Sequence, residues 1–365
     1  MSDTVKTPLY FAFVALLIIG TGFVQGWNSA LLILNMGLIS AIMALGVNLQ
    51  WCFAGLFNIG IMGFVALGGL ATVLVSMPTT PGAWSEGGWQ ILISLILGAV
   101  TIVGAIFTYR WLPKGRMRNV LMVVLLILGF MAFRAVFDGG VAGVEAINPA
   151  ATGYLGGLNW GGENYKDLGW LTVVAWPVGG LLAAGAAWVI GKTALGLRSD
   201  YLAIATLGIA EIIIAVMKNE DWLTRGVKNV IGLPRPVPLE VDLQADPAFV
   251  ERAASFGLDP VLASTLSVKL SYGVLFTIVL LILLWLSQRA LNSPWGRMMR
   301  AIRDNETAAR AMGKNVTARH LQVFVLGSAI CGIAGAMMTT LDGQLTPGTY
   351  QPLRFTFLVW VMVIV

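Results

Sequence analysis

Two places in this chain of 365 residues hold side chains whose type and setting could do chemistry. One is Glu211, a lone carboxylate deep in the apolar run SDYLAIATLGIAEII. A carboxylate near mid-bilayer is costly and by default marks function, because it can bind a proton or a cation. Protonated or hydrogen-bonded, the same group would instead tie helices together. The other place is residues 289–319, RALNSPWGRMMRAIRDNETAARAMGKNVTAR, a polar and basic segment suited to docking a partner. Around Glu211, residues Thr206 and Gly208 share its segment, and Asn58, Gly60 and Gly63 lie in the glycine-rich run GLFNIGIMGFVALGG. Glycines there let backbones approach closely or let a helix break around a substrate. These six are the candidates for a translocation path.

Other chemistries lack their parts. The sequence has no G-x4-GK[ST] phosphate loop, so it carries no ATP site of its own. Its one histidine is His320, and Cys52 and Cys331 fall in no CxxC or Cys/His cluster, so no metal site, catalytic residue or bound cofactor is expected. Both cysteines read as small packed hydrophobes.

The elements that must position these residues are membrane helices. The composition is 57% apolar and 11% charged with a mean hydropathy of +0.81, which excludes a soluble domain and points to an all-α, polytopic helical bundle of about ten spans. Spans are expected at 9–25, 30–52, 56–77, 90–109, 119–137, 168–190, 201–217, 268–287 and 321–341, with a last one opening near 353. The first is read as a retained helix. The chain stops at Val365 inside the apolar run FTFLVWVMVIV, so a truncated final span is expected. Residues 1–365 thus form one transmembrane domain. Residues 138–167, rich in Gly and acids, are expected to form an irregular outer loop. Residues 218–267 form an outer insertion in which two Asp-Pro pairs bracket a short helix. That cap could contact a soluble partner or serve as a passive lid.

Residues 289–319 hold Arg289, Arg297, Arg300, Arg303, Arg310, Lys314 and Arg319 against Asp304 and Glu306 only. Such an excess marks the cytoplasmic side, and alternating outward from it leaves the N-terminus cytoplasmic too. The net charge of +5 is therefore a topology signal, and nucleic acid is not an expected partner. With neither Gly nor Pro from 298 to 312, one helix is predicted, its apolar stripe formed by Met298, Ile302, Ala309 and Met312. Glu306 is placed to pair with both Arg303 and Arg310. A basic loop resting on anionic lipid is the simpler alternative.

GLRSDYLAIATLGIAEII, GLFNIGIMGFVALGG and SPWGRMMRAIRDNETAARAMGKNVTARHLQVFVLGSAICGIAGAM together resemble the permease subunit of bacterial branched-chain amino acid ABC importers, the LivM family. The likeness covers nearly all of the chain from about residue 30. It implies a multi-pass subunit of the bacterial inner membrane, paired with a homologous second permease, two cytoplasmic ATPases that carry the ATP-Mg, and a periplasmic binding protein. It further implies that an EAA-x3-G loop enters a cleft on the ATPase; Thr307, Ala308, Ala309 and Gly313 match that spacing, with Arg303, Glu306, Arg310 and Met312 around them. Thr307 replaces the usual Glu, Val325 and Leu326 stand where Leu-Pro is usual, and Ile61 stands where many relatives carry His. Urea or short amides are alternative cargoes within the same resemblance. An ion-driven secondary transporter using Glu211 is the alternative from a different class.

Overall fold

The computed structural model describes residues 3–78, 80, 82–147, 155, 169–196 and 199–364. Fifteen helices occur among them: α1 (Asp3–Gln25), α2 (Trp27–Ala54), α3 (Ile61–Ser76), α4 (Trp89–Trp111), α5 (Arg116–Glu145), α6 (Gly169–Ala194), α7 (Ser199–Asn219), α8 (Asp221–Thr224), α9 (Glu240–Ala245), α10 (Pro247–Ser255), α11 (Pro260–Asn292), α12 (Pro294–Asp304), α13 (Glu306–Ala311), α14 (Val316–Asp342) and α15 (Pro352–Ile364). A π turn, Trp84–Gly88, runs directly into α4. Two-residue strands β1 (Val230–Ile231) and β2 (Gln344–Leu345) pair antiparallel, Val230 opposite Leu345.

Seven helices among the described residues are long and apolar enough to cross a bilayer, and three shorter apolar ones (Leu9–Gln25, Ile61–Ser76, Phe355–Ile364) fill the remaining expected positions. The protein is a polytopic, all-α membrane protein. At the centre stands α3, buried along almost its whole length by α6, α7, α14 and α15. Glycine makes that possible. A Cβ on Gly68 would lie 1.8 Å from the carbonyl oxygen of Gly332, one on Gly335 would lie 1.9 Å from that of Val65, and Gly179 meets Gly68 from a third helix. Between apolar helices in lipid, van der Waals contact at this range takes the place of a hydrophobic driving force. The periphery is the reverse. The pair α4–α5 packs on itself, on the π turn and on α8, and exposes Val120, Ile127, Phe130 and Met131.

Three expectations need correction. The third span starts only at Ile61, because α2 ends at Gly55 in the left-handed region (φ 70°) and residues 56–60 are not helical. Residues 138–145 continue α5 instead of opening a loop. Gly140 and Gly143 there let the helix lie against the backbone of Glu86 and Gly87, so these glycines serve contact and do not break the helix. The described part of the expected loop is otherwise only 146–147 and 155; the rest lies outside the described residues. The single helix expected over 298–312 is two helices, α12 and α13, separated at Asn305 (φ −154°, ψ 96°).

Opposite ends of the bundle carry the two polar insertions. α14 leaves α13 at Val316 and finishes at Asp342, beside the strand pair, where Leu233 N–H donates to the Gly343 carbonyl. Thr172 Oγ1 donates to the Pro234 carbonyl, and Gln244 Nε2 to Ser264 Oγ, so residues 230–245 are fastened to α6 and α11. α10 lies between the two Asp-Pro pairs: Asp246 caps it by accepting from Ala248 N–H at 3.1 Å, and Pro260 opens α11.

Candidate functional site

The break between α2 and α3 places unpaired backbone inside a membrane bundle, where water cannot satisfy it, so protein groups must. Asn58 does most of this. Its Oδ1 accepts from Gly60 N–H at 2.9 Å, capping the start of α3, and its Nδ2 donates to Gln50 Oε1 at 2.9 Å. Gln50 in turn donates through Nε2 to the Phe324 carbonyl (2.9 Å) and to Ser328 Oγ (3.1 Å). Ile59 N–H donates to Thr206 Oγ1, and Trp360 Nε1 donates to the Asn58 carbonyl. Gln50, Asn58, Thr206 and Ser328 are each at most 2% exposed. Five elements therefore meet at one buried polar knot: α2, α3, α7, α14 and α15. Trp51, Phe57 and Trp360 seal it with ring centroids 4.7 to 5.3 Å apart.

One side of α7 closes the knot. A Cβ on Gly60 would lie 2.3 Å from the Thr206 carbonyl oxygen, and one on Gly63 2.9 Å from Ala210 Cα, so glycine at both positions is a condition of the contact.

Beyond the last turn of α2 lie α12 and α13. Met299 and Ile302 are buried and Met298 is half-buried, so α12 presses its apolar face onto the bundle. Arg303 donates to the Cys52 carbonyl and pairs with Asp304 at 2.9 Å. Trp295 Nε1 on α12 donates to Gln322 Oε1 on α14, tying the hairpin to that helix, and Arg319 Nη1, also on α14, donates to the same oxygen. By contrast α13 stands out. Asn305 caps its start by accepting from Ala308 N–H at 2.9 Å. Gly313 stops it at φ 77°, with Gly313 N–H on the Arg310 carbonyl and Lys314 N–H on the Ala309 carbonyl, the bonding of a Schellman motif. Thr307, Ala308, Arg310 and Met312 are exposed, Met312 by 79%, and only Ala309 is half-buried. The expected apolar stripe is thus divided: its α12 half faces inward, and Met312 at the end of α13 faces out. Glu306 pairs with Arg310 at 2.5 Å but not with Arg303, which the break at Asn305 turns toward α2.

Residues 150–365 match the family described as the permease component of the branched-chain amino acid transport system. The chain belongs to that family. The chain is 28% identical over 282 residues to the high-affinity branched-chain amino acid transport system permease protein LivM of Escherichia coli strain K12, covering 76% of this chain and 60% of that protein. The LivM protein of Salmonella typhimurium gives 27% over the same length and shares. A probable branched-chain amino acid transport permease protein LivM of Methanocaldococcus jannaschii is 32% identical over 168 residues, 46% of this chain and 42% of its own. The chain thus spans about three-fifths of the length of the first two relatives. No solved structure matches it significantly.

Of the six path candidates in this chain, Asn58, Gly60, Gly63 and Thr206 come together at the knot. Gly208 and Glu211 do not. On α7 the residues Thr206, Ala210, Ile214 and Met217 are buried, which turns Gly208 and Glu211 to the exposed side. Glu211 makes no hydrogen bond or ion pair with the described residues of this chain, so it does not tie these helices together. Sequence reasoning missed Gln50, Ser328 and Trp360. Gln50 left a signal: it is a long amide at the end of an apolar run, eight residues before Asn58. No group of three or more potential metal ligands occurs among the described residues.

Proposed function

We propose that this chain is the membrane-spanning permease subunit of an ATP-driven importer of branched-chain, aliphatic amino acids. It sits in a bacterial inner membrane with its N-terminus and α12–α13 on the cytoplasmic side, and residues 218–267 on the outer side. It works beside a homologous second permease, two cytoplasmic ATPases that bind and hydrolyse ATP-Mg, and a periplasmic binding protein. The substrate class rests on the names of its relatives.

The observation that carries the mechanism is the exposed, separately capped α13, attached through α12 to the last turn of α2. Closure of an ATPase pair around ATP moves a helix held in its cleft. α12 passes that movement to α2 through Met299, Ile302 and the Arg303–Cys52 bond. Two residues earlier on α2 stands Gln50, which grips Asn58 at the break and α14 at Phe324 and Ser328. A displacement of α2 is therefore delivered to the start of α3 and to α7, α14 and α15. Rigid-body rocking against the second permease then opens the path to one side or the other.

The deciding experiment is uptake of labelled leucine and of urea into proteoliposomes holding the full-length chain with its native partners. ATP-dependent leucine uptake is the expected result. Urea uptake moves the assignment to a urea or amide importer, and uptake without ATP under an ion gradient overturns it.

A further inference from the structure

The outward side of α7 is apolar except at one point. Tyr201, Ile204, Ile212 and Val216 are exposed by 61%, 68%, 62% and 46%. Among them stands Glu211, about 18 Å along the axis from Ser199 and about 12 Å from Asn219 at 1.5 Å per residue. That is the middle third of the membrane. A carboxylate there, facing hydrocarbon, is expensive, and such groups face a bundle interior or water and find a cationic partner. This chain supplies no such partner among the described residues. Gly208, one turn before, opens a notch beside it: a Cβ built there meets nothing within 4 Å. Carboxylate, notch and flanking Ile204 and Ile212 together form a surface complementary to a primary ammonium next to a short aliphatic chain.

We infer that the outer side of α7 lines a water-accessible passage closed by the second permease subunit, and that Glu211 binds the ammonium group of the amino acid passing through it. This rests on the import reading above and adds a substrate-binding residue to it. The passage then runs along the outside of this chain's bundle. The Asn58 knot, on the other side of the same helix, sets the position of α7 and so of the carboxylate.

The test uses the full complex in proteoliposomes, with Cys52→Ser and Cys331→Ala removing the native thiols. Gly208→Cys is compared with Ile127→Cys on the exposed face of α5, where the neighbouring exposed residues Val123, Val124, Phe130 and Met131 are all apolar, using a membrane-impermeant thiosulfonate. Gly208→Cys is expected to react at least ten-fold faster, and leucine supplied with its binding protein is expected to slow it. Reactivity as low as that of Ile127→Cys overturns the passage. In complexes with native thiols, Glu211→Gln is expected to raise the KM for leucine at least ten-fold with a smaller fall in maximal rate, and Glu211→Asp to recover part of the loss. An unchanged KM overturns the ammonium role. Failure of the underlying import reading has a separate signature: the unaltered complex then shows no ATP-driven leucine uptake.

Discussion

The guanidinium of Arg303 on α12 donates to the main-chain carbonyl of Cys52, in the last turn of α2. The last carbonyls of a helix have no partner within it, and a cation suits that end of the helix dipole. Arg303 is also the ion partner of Asp304 and is 43% exposed, so its contribution to stability is small, on the order of 1 kcal/mol or less. Its contribution to coupling should be larger. Arg303→Ala is expected to leave the assembled complex intact while lowering substrate moved per ATP hydrolysed by several-fold. Parallel uptake and ATPase measurements check this, and an unchanged ratio would mean that α12 transmits force through packing alone.

The docking role of α13 predicts a contrast between two kinds of change. Ala309→Glu places a charge on the half-buried side of α13 and should abolish ATP-dependent uptake without unfolding the bundle, since the main contacts of α13 are with α12 and α14 and none of them is with the central helix α3. Gly313→Ala forces a side chain into φ 77°, costing about 1 kcal/mol and loosening the turn into α14. Gly313→Asn tolerates that backbone far better and should retain most uptake. Normal ATP-dependent transport by Ala309→Glu would remove α13 as the ATPase contact.

The buried amide pair invites a double-mutant cycle. Gln50→Leu strands the Nδ2 group of Asn58, the Phe324 carbonyl and Ser328 Oγ, and a buried group left without its partner costs about 1–3 kcal/mol. Asn58→Leu additionally leaves Gly60 N–H uncapped and should be the worse of the two. The double variant should lose less than the two single losses combined, with a coupling of about 0.5–3 kcal/mol. Thermal inactivation in detergent measures all three. Strict additivity would show that the two amides do not act as a unit.

The contrast between these residues shows what the sequence makes legible. The seven long apolar helices can be read from it because hydrocarbon demands about 20 apolar residues per crossing, and that demand acts locally. The bracketing of α10 and the stop at Gly313 are local too, carried by Asp-Pro pairs and by glycine's access to positive φ. Even the break at Asn305 had a local sign, an Asn three residues before Ala308, which fits an N-cap as well as a polar helix position. The direction faced by Glu211 had none. In a span apolar on every side, periodicity does not separate interior from exterior, and it is the packing of Gly60 on Thr206 and of Gly63 on Ala210 that fixes the rotation of α7. The partners of Gln50 on α14 had no local sign either, since residues 324 and 328 are more than 270 positions away.

Helix contact through glycine makes the sharpest stability prediction. At Gly68 a methyl group would sit 1.8 Å from the Gly332 carbonyl oxygen, which is backbone and cannot rotate away, so α3 and α14 must separate or shear. Overpacking of a core typically costs about 1–3 kcal/mol, and a clash between two backbones belongs at or above the top of that range. Gly68→Ala should therefore lower the melting temperature markedly and reduce the yield of folded protein. Gly37→Ala is the control: it lies on the exposed side of α2 with nothing within 4 Å, and there the exchange is expected to be neutral or to stabilise by about 0.5–1 kcal/mol. Equal melting temperatures for the two variants would mean that the α3–α14 contact is looser than drawn. Movement delivered to α2 would then be absorbed at that contact before it reached α7.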